Sequence, residues 1–370
     1  MYFDRRRLNE SAVHPFFSWV SLMQNRVIIF VNGTVLANAR QNITNMRHQN
    51  KRIPFLSLSI AFFSLSIIIH CKRDAGATRE NVGTSKKDSV LAAKKDSAQA
   101  EAQKPKINYS EFIFPAKKKD SAMAVFNDKF SAEERYTILA LNRLDSKNKW
   151  RADTLAVPDK IDTTLMMYSP FPTHLDILDE VHKIVLFSYP IQAYALYEKG
   201  KLVKWGPTSL GKKNAQTKRG LMFANWKKEL AISTVDSDWK LPYNFNIHNT
   251  LGIGWHQYDL PGFPASHSCL RLLEDDAKFL YKWADQWTLN KGGASVKANG
   301  TPVIVYGDYN WGGKKPWKNL IQDPKANDIS IGDLNDIIKP DLSKILEEQK
   351  KTDEVKTQLA TASEAGRPAA

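Results

Sequence analysis

From about Val181 to Gly307 the chain repeats one local pattern: short runs of Val, Ile, Leu, Phe, Tyr and Trp, broken by Gly, Pro, Asn or a Lys-Gly pair. Runs this short cannot carry the apolar stripe of a long helix, and they predict strands joined by tight turns. "KIVLFSY" and "AYALYE" read as two strands, and the turn at "KG" returns the chain as "KLVKWGPTS". "TKRGLMFANWKKELAIS" and "FNIHNTLGIGWHQY" continue the pattern, and "TPVIVYG" supplies a last strand. One helix interrupts it. In "LLEDDAKFLYKWADQW" the residues Leu273, Ala277, Leu280, Tyr281, Ala284 and Trp287 recur at three and four positions, and Glu274, Asp275 and Asp276 suit the positive end of a helix. The expectation is a mostly β domain over residues 176–317, long enough to bury its own core.

The rest of the chain is different in kind. Residues 72–125 are dominated by Lys, Asp, Ser and Ala, and repeat Lys-Lys-Asp-Ser at 86–89, 94–97 and 118–121. Such a stretch buries too little apolar area to fold and reads as a disordered linker. Upstream, "MRHQNKRIPFLSLSIAFFSLSIIIHC" sets a basic patch before an apolar run from Ile53 to Ile69 and then Cys71. This resembles a bacterial lipoprotein signal over 46–71, which implies lipidation of Cys71; His70 stands where a small residue is usual. The alternatives are a cleaved signal or an uncleaved anchor, since the run is at the lower limit for a spanning helix. A signal is expected at a chain start, so Met46 is read as the start and residues 1–45 as an upstream misreading or unstructured. All these readings export the remainder, with the periplasm as the expected location, and the lipoprotein and anchor readings tether it to a membrane.

Residues 126–175 read as a lead-in. Within them "YTILALNRLDSKNKWRADTLAVPD" resembles the second half of a LysM peptidoglycan-binding repeat, and an ordinary helical lead-in is the other reading. Residues 318–370 form a polar C-terminal tail with a possible helix from 342 to 360. The net charge of +14 invites a nucleic-acid partner, but many lysines lie in the linker and no aromatic platform accompanies them, so none is expected. Anionic lipids and wall polymers account for the charge equally well.

The second cysteine is the chemical feature. "HQYDLPGFPASHSCLRL" places Cys269 two residues after His267 and two before Arg271, behind a loop with two prolines. A thiol attacking an amide carbonyl needs a nearby base or cation, and a histidine supplies either. His248, His256 and His267 are the upstream candidates. In "GIGWHQY" strand alternation sets Ile253 and Trp255 on one face, with Gly254 and His256 on the other. Zinc held by His248, His256, His267 and Cys269 is disfavoured because their spacing matches no short zinc pattern. A papain-like arrangement is disfavoured too, because no histidine follows Cys269. No metal or other cofactor is called for.

The stretch "GIGWHQYDLPGFPASHSCLRL" resembles the active-site block of the L,D-transpeptidase (YkuD-type) family, in which a histidine, a variable loop, and Ser/Thr-His-Gly-Cys follow in order. The resemblance extends over roughly 181–307, including "GKLVKWGPTSLGKKNAQTKRG". It implies an L,D-transpeptidase-like β-sandwich or barrel with a helix after the cysteine. It further implies Cys269 as nucleophile, His256 as base with the Gln257 carbonyl orienting its ring, and His267 shaping the site. Backbone N–H groups around Ser268 and Cys269 would form the oxyanion hole. Ser268 departs from the usual glycine, at a cost of roughly 1–2 kcal/mol if φ is positive there. Ser266 is either a site hydroxyl or a turn residue, and Arg271 either binds a stem-peptide carboxylate or braces the loop. His248 is the alternative base.

The implied reaction is peptidoglycan cross-linking between third-position diamino acids through a cysteine thioester, with stem peptides as partners. Two rivals stand beside it: the same acyl-enzyme resolved by water or another amine, as in an L,D-carboxypeptidase or wall-attachment enzyme, and a non-catalytic wall-binding protein.

Overall fold

The computed structural model describes strands within residues 21–38, then residues 106–233 and 236–365. The chain divides into two units, Met1–Ala77 and Thr78–Ala370. In the first, β1 (Ser21–Met23), β2 (Arg26–Val31) and β3 (Thr34–Asn38) pair antiparallel in chain order. These strands lie within the segment 1–45, which the sequence reads as an upstream misreading or unstructured. The apolar runs on either side of the Asn-Gly pair in "RVIIFVNGTVLAN" are the sequence of a hairpin. The signal-like segment 46–71, Cys71 and most of the linker lie outside the described residues. Among the described residues no helix is long and apolar enough to cross a membrane.

The second unit opens with a strand–helix–helix–strand element. β4 (Tyr109–Ile113) pairs antiparallel with β5 (Thr154–Pro158), and α1 (Lys119–Lys129) and α2 (Ala132–Leu141) lie between them in sequence. Phe114, Met123, Phe126, Phe130, Ile138, Leu139 and Leu155 close a small core, with Phe112 packed against it. Ser131 caps α2 in a reciprocal capping box with Glu134. Two expectations are corrected here. The linker does not extend to residue 125, because Phe112, Phe114, Met123 and Phe126 supply the apolar area its lysine-rich composition hides. Nor is 126–175 only a lead-in, since its helices and β5 complete a unit that starts at β4.

The region over 176–317 is mostly β, as expected. Its strands are β6 (Ile184–Ser188), β7 (Ala193–Glu198), β8 (Lys201–Pro207), β9 (Gly220–Phe223), β10 (Lys227–Ile232), β11 (Lys240–His248), β12 (Ile253–Gln257), β13 (Leu270–Leu272), β14 (Thr288–Leu289), β15 (Val296–Ala298) and β16 (Pro302–Tyr306). Five form a sheet in the order β8-β7-β6-β16-β9, and four form a second in the order β10-β11-β12-β13. The turn between β7 and β8 uses Lys199 and Gly200 with φ of 46° and 76°, the two positive values of the commonest two-residue hairpin. Val185, Phe187, Val303 and Val305 of the first sheet meet Phe245, Ile253, Trp255, Leu270 and Leu272 of the second in one core.

The alternate residues of the first sheet are buried as well. Ile184, Leu186, Ala195, Tyr197 and Ile304 pack with Leu141, Phe171, Leu175 and Leu178, and with Leu334, Ile338 and Ile345 of the C-terminal helix. Covering on both faces is why "IVLFS" is apolar throughout. The helix after the cysteine, α3 (Glu274–Trp283), ends earlier than its periodicity suggests. From Ala284 the backbone is extended, and the Thr301 amide donates to the Asp285 carbonyl while the Thr301 hydroxyl accepts from the Asp285 amide. The expected polar tail is corrected more strongly. Its end is α4 (Ile331–Ala365), capped by the Ser330 hydroxyl at the Asp333 amide, and its apolar positions close the outer core. The expected start at 342 was late because Pro340 reads as a breaker, yet the helix runs through it.

Candidate active site

The site is built on β12 and β13, which run parallel with Trp255 opposite Leu270 and His256 opposite Arg271. Cys269 immediately precedes β13 and so falls beside Gly254 on the same register. Residues in register share a face, so Cys269 and His256 stand diagonally on one face of this pair. Ile253 and Trp255 go into the core, which leaves His256 on the opposite face, as alternation predicts. Gly254 is required by its other neighbour, because a Cβ there would lie 2.5 Å from the Phe245 carbonyl. The pairing of β11 with β12 shifts register between Asn246 and His248 at that point.

His256 is almost fully buried, and its Nδ1 lies 2.9 Å from the Gln257 carbonyl oxygen. A carbonyl only accepts, so Nδ1 carries the proton and Nε2 keeps the lone pair. Burial pushes the His256 pKa down to about 4, against the upward pull of that hydrogen bond. The Cys269 thiol is pushed up from its ordinary value by burial, against weaker downward pulls from a backbone hydrogen bond at Gly254 and from the Arg271 charge. Both shifts favour a neutral thiol beside a neutral imidazole at pH 7. The Cys269 sulfur lies 3.9 Å from the Gly252 carbonyl.

The neighbouring candidates are placed as follows. His267 is exposed, with Nε2 2.5 Å from the Lys212 ammonium and its ring 5.0 Å from that of Trp239. Burial of part of the ring and the charges of Lys212 and Arg271 lower its pKa. Ser268 sits at φ of 82°, the left-handed region that favours glycine. Ser266 is buried, and its hydroxyl donates to the Cys269 carbonyl at 2.5 Å, so it ties the turn that carries the cysteine. Arg271 donates to the Asp259 carbonyl at 3.3 Å and lies 4.6 Å from the Tyr258 ring, which braces the loop. His248 ends β11 with Nε2 3.0 Å from the Lys218 ammonium and Nδ1 3.3 Å from the Leu251 amide. A neutral imidazole has one lone pair, and both ring nitrogens of His248 face donors. It offers no free base.

Two segments that hold the loop between His256 and Cys269 were not singled out for this role in the sequence. Asp145 accepts from the Leu260 amide at 2.6 Å, and Gly262 donates to the Arg143 carbonyl at 2.9 Å. On the other side the Ser209 hydroxyl donates to the Phe263 carbonyl and accepts from the Ala265 amide, while Ser266 and Leu210 pair through the backbone. "LNRLD" carries Arg143 and Asp145, but its partners lie more than a hundred residues away, beyond any local signal.

Residues 182–305 match the family model of the YkuD L,D-transpeptidase catalytic domain. Among solved structures, an L,D-transpeptidase (Yku) from Stackebrandtia nassauensis is similar at 25% identity, covering 35% of this chain and 57% of that one, with a TM-score of 0.29. An L,D-transpeptidase from Mycobacterium smegmatis is similar at 19% identity over 34% and 59% of the two chains, with a TM-score of 0.28. One from Xylanimonas cellulosilytica is similar at 22% identity over 34% and 60%, with a TM-score of 0.27. This chain spans less than two thirds of the length of each. Comparison with curated proteins gives no significant match.

Proposed function

We propose that this protein is a peptidoglycan L,D-transpeptidase in which Cys269 is the nucleophile and His256 the base, a reading supported by the match of residues 182–305 to the family model of the YkuD L,D-transpeptidase catalytic domain. The observation that carries the reading is the parallel register of β12 and β13, which puts the cysteine and a buried, tautomer-locked histidine on one face.

The donor is a peptidoglycan stem peptide. The Cys269 sulfur attacks the carbonyl of the third-position diamino acid as Nε2 of His256 takes the thiol proton. Backbone N–H groups at Ser268 and Cys269 receive the oxyanion. The tetrahedral intermediate collapses, the C–N bond to the terminal residue breaks, and His256 returns the proton to the departing amine. An amine of a second stem then attacks the thioester, His256 takes its proton, and the thiol is restored with a new amide between two third-position residues. Water in place of that amine makes the enzyme an L,D-carboxypeptidase, and another amine makes it a wall-attachment enzyme.

Export with a lipid on Cys71, a periplasmic location and membrane tethering belong to the same proposal and rest on the signal-like segment 46–71. The strand–helix–helix–strand unit over 109–158 is proposed as the wall-binding element suggested by "YTILALNRLDSKNKWRADTLAVPD".

The test is mass analysis of peptidoglycan fragments incubated with the purified protein. A cross-link between third-position residues is expected, and shortened stems alone select the hydrolytic reading. Unchanged fragments, together with no covalent adduct on Cys269 after carbapenem treatment, would leave a wall-binding protein without catalysis.

A further inference from the structure

At the turn that joins β7 and β8, His174, Asp176 and Asp179 bring one imidazole and two carboxylates together, with one ligand-type atom of each within 4.8 Å of the others. The backbone fixes the place. The Leu175 amide donates to the Gly200 carbonyl, the Leu202 amide to the Thr173 carbonyl and the Lys199 amide to the Val181 carbonyl, which ties residues 173–181 to the hairpin. Gly200 has φ of 76°, and a Cβ there would lie 2.4 Å from Oδ1 of Asp179 and 2.7 Å from Cε1 of His174. The glycine leaves room for the cluster.

The His174 side chain is 10% exposed, and its Nε2 is shielded from solvent without a hydrogen bond among the described residues. Asp179 Oδ1 lies 2.8 Å from Nε2 and Asp176 Oδ1 lies 3.5 Å from it. An oxygen at 2.8 Å that makes no hydrogen bond lies off the line of a ring N–H. If Nε2 carries a proton, that proton is not aimed at the nearer carboxylate. If it carries the lone pair, three electron-rich atoms converge and repel. Buried polar atoms are nearly always satisfied, and a positive ion shared by the three atoms satisfies this one.

One imidazole and two carboxylates are donors that zinc takes, whereas calcium prefers six to eight oxygens and magnesium keeps most of its water. From an ion ~2.1 Å from each atom, the 2.8 and 3.5 Å spacings subtend angles of roughly 85° and 115°, which one zinc shell accommodates. The oxygens that crowd Nε2 are themselves the ligands. Their side chains are 41% and 35% exposed and have room on the solvent side to part and admit the ion.

We propose that His174 Nε2, Asp176 and Asp179 bind one zinc ion, with water completing the shell, and that the ion holds residues 174–179 in the shape that packs against the β7–β8 turn. None of these residues belongs to the Cys269 site, so the inference stands independently of the reaction there.

The experiment uses the full chain with its cysteine thiols alkylated, so that sulfur cannot ligate the metal. Zinc is titrated by calorimetry, with magnesium and calcium in parallel, and thermal midpoints are followed with and without each ion. One saturable zinc site is expected, at least about ten-fold tighter than any site for magnesium or calcium. At a hundred-fold excess over Kd the midpoint should rise by roughly 5 °C or more. His174 is mostly buried and its replacement risks the local fold, so Asp176→Asn, a change of equal size at a part-exposed position, is the deciding variant. It should weaken zinc binding at least about ten-fold and remove the rise in midpoint while the metal-free midpoint holds. No saturable binding, equal affinity for calcium, or zinc binding unchanged in Asp176→Asn, as surface histidines alone would give, would each overturn the proposal. So would a metal-free midpoint lowered by Asp176→Asn with no effect of zinc on either protein, the result expected of a plain ion pair.

Discussion

The Nδ1 atom of His256 lies 2.9 Å from the carbonyl oxygen of Gln257, and this contact decides which nitrogen can act as a base. With Nδ1 protonated, Nε2 is the only lone pair on the ring. Burial lowers the imidazole and raises the thiol, so the two rest as a neutral pair. The proton therefore moves during attack and not before it.

The first prediction concerns pH. Acylation of Cys269 should be level through neutral pH and fall on an acid limb near pH 4, where His256 takes up a proton. The same shift acts on stability. The unfolded histidine binds a proton below about pH 6.5 and the folded one does not until about pH 4, so stability is lost as pH falls through that window. Alkylation and acylation followed from pH 3.5 to 9 check the rates, and urea melts over the same range check the stability (roughly the range over which histidine and thiol titrate). An acid limb near 6.5, or a thiol titrating below 7, would indicate an ion pair instead.

His256→Ala should slow acylation by roughly 10²- to 10⁴-fold with the fold intact. His248→Ala should cost far less, because whichever ring nitrogen of His248 carries the lone pair already faces a donor, Lys218 at Nε2 or the Leu251 amide at Nδ1. Stopped-flow acylation by a carbapenem measures both variants. Near-normal rates for the first and loss for the second would exchange the two roles.

Ser268 holds φ of 82°, a conformation that costs a side chain roughly 1–2 kcal/mol and glycine almost nothing. Ser268→Gly should raise stability by up to about 1 kcal/mol, after the glycine's larger unfolded-state entropy is counted. Acylation should stay within a few-fold. Urea melts and acylation rates test this, and a gain of a hundred-fold in rate would mean that serine distorts the oxyanion donors.

Asp145 holds the active-site loop through the Leu260 amide and has no place in the chemistry. Asp145→Ala should slow acylation roughly 10- to 100-fold by loosening the loop. Alkylation of Cys269 by iodoacetamide, which needs no positioned substrate, should stay nearly unchanged, and Asp145→Asn should recover part of the loss. Equal slowing of both reactions would place the effect on the thiol itself.

Removing residues from 331 onward should unfold the domain or leave it with little stability. Leu334, Ile338 and Ile345 are fully buried against the outer side of the five-stranded sheet, and each is worth about 1.5–3 kcal/mol. Their sum is of the order of a whole domain's stability. Circular dichroism melts of the shortened chain check it, and an unchanged midpoint would show α4 to be dispensable.

The sequence by itself determined the local features: strands between turns, the helix after the cysteine, and the histidine, loop and cysteine in their order. Each depends on neighbours within a few residues, where periodicity and turn chemistry act. Alternation alone put His256 on the face opposite Trp255. Only the tertiary structure decided which donors reach His248, that Ser266 ties a turn, that Arg271 braces Asp259, and that Asp145 holds the loop. It also decided that the polar-looking ends fold, because β4 needs β5 as its partner and α4 needs the outer side of β16. Those contacts join residues far apart in the chain, and composition averages them into the charged residues around them.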